Sequence, residues 1–404
     1  MKHTYYQIIL KLETPLSIGS GEKQQTDSDV IKDNNGTPYI PASSIAGVMR
    51  HYFKEEKKRN SIFGYINGSK SSPSSVIFYD ALLSGNCVTS VRDSVKLKNK
   101  VAVDGAKFDF QIVETGAEFT TYIELDKNNY DKQSDIEELL GALSESVLRF
   151  GSKTSRGYGK TKIISLRKAE FDIETQKREW LDFDIFDAEC WKNIPAFTAQ
   201  TKQRKYDTVK LELKQKGALS IRVYTTEVSQ GTSAPDYKQL TLRNGVPVIP
   251  GTSWAGCFRE RFESLSDKEA ANIFFGYVTE KTNETQKSQI VFDESQISGH
   301  ISKNVTRTSV DRFSAEVKNG ALYTECTCYN GTTELSVYYP ADIEEKYRKI
   351  LGAVILDLDN GYLSLGGLTS VGRGIFSVEK IIVNGQDRTL FLKENNASEL
   401  LAGE

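Results

Sequence analysis

The sequence predicts an α+β protein made of two tandem copies of one domain, and three observations predict it. Residues 40–53 (IPASSIAGVMRHYF) and 249–262 (IPGTSWAGCFRERF) are identical at seven of fourteen positions, at a constant offset of 209. Further matches follow in the same order. Leu16-Ser17-Ile18 answers Leu219-Ser220-Ile221, Phe63-Gly64-Tyr65 answers Phe275-Gly276-Tyr277, and GSKTSRGYG at 151–159 answers GGLTSVGRG at 366–374. Offsets between 203 and 215 leave room only for small loop insertions, which is the mark of an internal repeat. Finally, 404 residues is the length of two ordinary domains. The copies are 1–167 and 207–404. The stretch 168–206 has no partner in the repeat, and its Trp180, Phe183, Phe186 and Trp191 are too apolar for a tether. It reads as a packed connector lying across both copies, with a small helix near 184–192.

Each copy opens with a strand of period-two alternation (Tyr5–Leu12; Thr208–Leu213). A long loop leads to a helix that begins just after Ile-Pro, where proline and Ser/Thr side chains suit a helix start. Strands follow (Val76–Leu82; Gln289–Phe292), and then a polar insertion, Arg92–Gly105 or Arg307–Gly320, that fits a projecting hairpin. A further strand comes next (Thr120–Leu125; Glu334–Tyr339), and then a second helix, opened in the first copy by the capping-box pattern Ser134-x-x-Glu137. A Gly-rich turn and a last strand (Thr161–Leu166; Ile375–Ile382) close the copy. The order β-α-β-β-α-β is ferredoxin-like, or RRM-like.

Composition narrows the function classes. Lys plus Arg is 52 against Asp plus Glu 54, a formal net charge of −2, which excludes a uniformly basic coat but permits a local basic groove. No run of about 18 apolar residues exists to cross a membrane, and the N-terminus has no signal-peptide pattern. A cytoplasmic protein with no membrane partner is the expectation. The five cysteines (87, 190, 257, 326, 328) are odd in number and lack a CxxC pair, so neither a disulfide framework nor a zinc site is expected. The three histidines are scattered, which weighs against a histidine base.

Three recurring features carry the candidate chemistry. The Gly-rich turn brings glycines together with Lys153, Arg156 and Lys160 in the first copy and Arg373 in the second. It fits phosphate binding, although taken alone the turn is better explained as a tight helix-to-strand turn that needs positive φ. The helix start places Ser43 and Ser44, or Thr252 and Ser253, at unpaired backbone N–H groups. Arg50 and Arg259 sit nine residues past the proline in both copies. That repetition favours a phosphate contact over a solvated side chain. The loops 19–39 and 223–248 are long enough to be functional. Asp27 and Asp236 each lie thirteen residues before the shared isoleucine, whereas Asp29 and Asp33 have no carboxylate counterparts. An aspartate kept in register within divergent loops is a catalytic candidate. The insertions add Arg92, Lys96, Lys98 and Lys100 in one copy and Arg307, Arg312 and Lys318 in the other.

These residues resemble the RAMP superfamily, and specifically the backbone subunits of type III CRISPR effector complexes. The motifs are LSIGSG at 16–21, DSDVIKDNNGTPYIPASSIAGVMR at 27–50, SVKLKNKVAVDGA at 94–106 and the Gly-rich loop, each recurring in the second copy. Two such units in one chain are similar to the fused subunits of some type III-D systems. The resemblance implies two RAMP domains with thumb hairpins, stacked along a guide RNA whose phosphates are held by the helix start and the Gly-rich loop. It further implies cleavage of complementary single-stranded target RNA at Asp27 and Asp236, with magnesium or another divalent metal shared weakly between those aspartates and phosphate. The implied partners are the guide RNA, the target RNA and other type III effector subunits. Val371 stands where the first copy has Arg156, and the second loop lacks the Asp-x-x-Val-(Ile/Val)-(Lys/Arg)-Asp pattern, so the implication is more direct for Asp27. The competing readings are a non-catalytic scaffold of the same assembly and, ranked last, a guide-processing ribonuclease.

Overall fold

A computed structural model describes residues 2–21, 23, 25–98, 101–200, 204–224, 235–278 and 284–402. The chain divides into two compact units. The first comprises Met1–Thr154 and Tyr158–Arg204, and the second Ser155–Gly157 and Lys205–Glu404.

In the first unit the strand Lys2–Leu12 pairs antiparallel with Glu118–Leu125 on one side and Thr161–Asp172 on the other. Val76–Phe78 extends the sheet beyond Glu118–Leu125. The spatial order is therefore second, third, first, last, consistent with the ferredoxin-like order expected. The helices Ala42–Tyr52 and Gln133–Ser144 bury Ile45, Met49, Leu139 and Leu140 against Tyr6, Ile8 and Leu10. The second unit repeats this order with Tyr206–Lys216 at its centre, between Thr332–Pro340 and Ile375–Val383. Its helices Gly251–Leu265 and Glu345–Asp359 pack Trp254, Phe258, Phe262 and Leu351 into the core.

Of the stretch 168–206, the residues up to Arg204 group with the first unit, and the first of them complete that unit's last strand, which runs on to Asp172. Tyr5, Phe171, Ile185 and Trp191 form a separate buried cluster, in which the Trp180 indole donates to the Tyr5 hydroxyl at 3.0 Å. This cover explains why the first strand is buried on both faces, where plain alternation was expected. Its counterpart Tyr206–Lys216 alternates strictly between buried and more exposed residues.

Two local expectations are corrected. The capping box does not form: the helix begins at Gln133 without a side-chain cap. Glu137 instead accepts from the Tyr6 hydroxyl at 3.1 Å and pairs with Lys168 at 3.0 Å. A longer-range ion pair with the sheet replaces the local cap. Each unit also has a second short helix after the first, Glu56–Phe63 and Lys268–Phe275, which the expected order of elements does not include.

Candidate nucleic-acid interface

The insertion of the first unit is a two-stranded hairpin, Thr89–Lys98 with Val101–Val113. In the second unit the paired strands are Ile301–Arg307 and Tyr323–Tyr329, outside most of the predicted span. They flank an apical loop in which Val310 bridges Val317 and Phe313 is 97% exposed. The side chains of Lys96 and Lys98, and the whole of Lys100, lie outside the described residues. So do residues 225–234 of the second Asp loop.

Asp27 and Asp236 occupy equivalent places. Leu16 bridges Val113 and Leu219 pairs with Cys328, which puts the two far hairpin strands in one register: Asp109 answers Thr324, and Phe110 answers Glu325. The Asp27 carboxylate accepts from the Asp109 N–H at 3.2 Å, and the Asp236 carboxylate from the Thr324 N–H at 2.8 Å. Both aspartates are exposed. In each, the other carboxylate oxygen has no hydrogen-bond partner among the described residues. The turn that presents Asp27 is built by Asp29, a residue the sequence comparison set aside. Its buried carboxylate accepts from the N–H groups of Gln25 (3.0 Å) and Thr26 (2.9 Å) and from the Thr26 hydroxyl (2.8 Å).

The Gly-rich loop has one backbone in both units. Its glycines serve close packing, because a Cβ on Gly151 or Gly366 would come within 2.5 or 2.6 Å of the carbonyl oxygen of Ser17 or Ser220. Ser152 N–H donates to Ser17 and Gly367 N–H to Ser220, at 2.7 and 2.8 Å, so these amides face the chain and not an anion. Between the glycines, Lys153 and Leu368 both adopt a left-handed conformation (φ +59 and +58). That is strained for a side-chain-bearing residue, and such strain gathers at functional sites. Lys153 Nζ lies 3.7 Å from the centre of the Phe110 ring. Lys160 pairs with Glu13 at 2.8 Å, and Arg156 is exposed.

Several phosphate-binding expectations are corrected. Arg373 is 2% exposed and ion-paired with Glu325, which itself pairs with Arg222 at 3.1 Å; it is a core residue. Arg92 is buried at the hairpin base, while Arg307 is half-buried. Arg50 donates to the Gly64 carbonyl and the Asn60 side chain, both at 2.8 Å. Arg259 does the same with Gly276 (2.6 Å) and Asn272 (2.5 Å). The arginine recurs because it ties the first helix to the end of the short helix that follows. At the helix start, the Ala42 N–H donates at 2.6 Å to the Asp80 carboxylate, which puts a negative charge where a phosphate was expected. Ser43 is exposed and lines a concavity of about 420 Å³ with Phe63, Phe78 and Arg50. Ser44 and Ser253 are half-buried, and Thr252 is exposed.

The RAMP superfamily model matches residues 9–162 and 229–377, one match in each unit and together about three quarters of the chain. The chain belongs to the RAMP superfamily. Membership makes it a CRISPR-associated RNA-binding protein; RAMP proteins bind CRISPR RNA and act in multi-subunit complexes. A search of curated proteins finds no match. Among the described residues no helix is long and apolar enough to cross a membrane.

Proposed function

We propose that this RAMP protein is a two-unit backbone subunit of a type III CRISPR effector complex that binds a guide RNA and cleaves complementary target RNA at Asp27 and Asp236. The observation that carries the proposal is the repeated placement of one exposed aspartate, bonded in both units to the same backbone N–H of the hairpin's far strand. The hairpin then serves as a thumb that unpairs a guide–target nucleotide beside that aspartate. Exposed Arg156 in the first unit, and half-buried Arg307 with exposed Arg312 and Lys318 in the second, are basic groups that can meet phosphates.

With the target RNA splayed there, the 2′-hydroxyl aligns with its own 3′-phosphate, a gain from proximity. The aspartate takes the hydroxyl proton as the 2′-oxygen attacks phosphorus. The 5′-oxygen leaves and takes a proton from water, giving a 2′,3′-cyclic phosphate and a 5′-hydroxyl end.

A divalent ion fits only in part. Among the described residues no three His, Cys, Asp or Glu side chains group to hold a metal. Asp27 and Asp236 each offer one carboxylate, held by the N–H of Asp109 and of Thr324. One or two carboxylates completed by phosphate oxygens suit magnesium brought in with the RNA. When bound, it would supply positive charge beside the pentavalent phosphorus.

The test is a guide-loaded complex with labelled target RNA. Asp27→Ala should remove one cut and Asp236→Ala another, by about a hundredfold or more each, with target affinity kept. Wild-type fragments from both variants would leave the scaffold reading standing.

A further inference from the structure

Asp27 and Asp236 are held by the same N–H, but their own backbones are held differently. In the second unit the chain leaving Asp236 forms the strand Tyr237–Gln239, parallel to Tyr323–Tyr329, with Tyr237 opposite Glu325 and Lys238 opposite Cys326. The Asp236 N–H donates to the Thr324 carbonyl at 2.8 Å. Ordinary strand pairing therefore fixes Asp236, and the Thr324 side chain takes no part in it.

Among the described residues the first unit has no such strand. The Asp27 N–H donates at 2.9 Å to the Asp109 carboxylate while the Asp109 N–H donates back to Asp27. Two residues on, the Gln111 side chain accepts from Val30 N–H at 3.3 Å and donates to Gln25 at 2.6 Å, and Gln111 N–H donates to the Ser28 carbonyl at 3.0 Å. Side chains of the hairpin thus do for residues 25–30 much of what main-chain pairing does for 236–239. At the Asp27 amide itself, a single carboxylate oxygen is the acceptor.

We infer that Asp109 is the positioning residue of the first unit's site: its side chain supplies to Asp27 the acceptor that strand pairing supplies to Asp236. This rests on Asp27 being the cleaving carboxylate. Removing the acceptor frees the turn at the residue whose carboxylate must meet the 2′-hydroxyl, and small misplacements of a reacting group are costly. The role needs an oxygen at the Asp109 Oδ1 position and not a negative charge, so asparagine should serve. Threonine or alanine at 324 should be interchangeable.

The experiment follows both cuts on one target in the guide-loaded complex, so that each variant carries its own control. Asp109→Ala should slow the Asp27-dependent cut on the order of a hundredfold and leave the Asp236-dependent cut within about twofold. Asp109→Asn should return the first cut to within about fivefold of wild type, and Thr324→Ala should change neither cut by more than about twofold. Target affinity should hold throughout. A first cut unchanged in Asp109→Ala, or as slow in Asp109→Asn as in Asp109→Ala, overturns the inference. Hydrogen exchange gives a readout independent of chemistry. Amides 25–30 should exchange about tenfold faster in Asp109→Ala but not in Asp109→Asn, and amides 236–239 should not change in Thr324→Ala. Unchanged exchange at 25–30 also overturns the inference. Persistence of both cuts in Asp27→Ala, with faster exchange in Asp109→Ala, would sink the cleavage assignment and keep Asp109 as the holder of the turn.

Discussion

Phe110 and Tyr158 in the first unit stand where Glu325 and Arg373 stand in the second. In both units these residues close the space between the hairpin's far strand and the Gly-rich loop. The first pair is aromatic, edge-to-face with ring centres 6.0 Å apart, and both residues are buried. The second is an ion pair at 2% exposure, with Arg373 Nη2 lacking a hydrogen-bond acceptor among the described residues. The loop backbone is the same either way, down to the left-handed residues at 153 and 368. The glycines and their carbonyl contacts therefore define the loop, and the pair beneath it only has to fill the gap.

That comparison breaks most visibly at Glu325. Glu325→Ala leaves a buried guanidinium without its counter-ion, a change that costs about 3–5 kcal/mol. Installing the first unit's pair, Glu325→Phe with Arg373→Tyr, should recover most of that loss, since apolar replacements of buried ion pairs are often neutral or better. Chemical denaturation of the single and double variants measures both. If the double variant is no more stable than Glu325→Ala, the two pairs are not interchangeable.

The Arg50 and Arg259 clamps are the opposite case, where the halves kept both the residue and its partners. Each arginine holds one carbonyl and one asparagine oxygen, so each Arg→Ala variant should cost about 1.5–3 kcal/mol, with similar losses in the two units. Guide-RNA binding should keep its salt dependence in both. A variant of wild-type stability whose salt slope falls by about one would restore the phosphate contact instead.

The arginine was visible in the sequence as a repeated letter, but its purpose was not. Its acceptor Asn60 lies on a helix whose polar sequence gives no helical stripe, since in Glu56–Phe63 only Ile62 is buried, whereas Asn272 lies on Lys268–Phe275, which buries Ala271, Phe274 and Phe275. A glycine-rich setting suggests an anion at Arg373, whereas its counter-ion Glu325 is 48 residues away in sequence and close only through pairing of the strands. The joint change from Phe110 and Tyr158 to Glu325 and Arg373 was the available signal. The strand order and the register of Asp27 with Asp236 were legible because repetition marks them directly. Asp109 was not, since its importance comes from a strand that the first unit lacks.

A third comparison carries the smallest expected effect. Ile77 pairs with Glu124 and Val291 with Tyr338, so Tyr79 and Glu124 answer Asp293 and Tyr338. The tyrosine and the carboxylate have exchanged strands. Tyr79 donates to Glu124 at 2.6 Å, and Tyr338 donates to Asp293 at 3.2 Å. Tyr79→Phe and Tyr338→Phe should each cost about 1 kcal/mol near neutral pH. Glu124 has a further partner, the His3 ring nitrogen at 2.9 Å. That hydrogen bond, with the Tyr79 hydroxyl, holds its carboxyl below the ordinary glutamate value against the opposing effect of burial. A carboxyl depressed in the folded state stabilises fully above its unfolded value and loses that contribution as pH falls through the folded one. Glu124→Gln should therefore be less stable than wild type near pH 7, and the gap should narrow as the pH drops below about 4. Urea denaturation across that range reads the difference. A gap that stays constant with pH would mean that Glu124 acts through shape alone, and that the two halves exchanged their partners without electrostatic consequence.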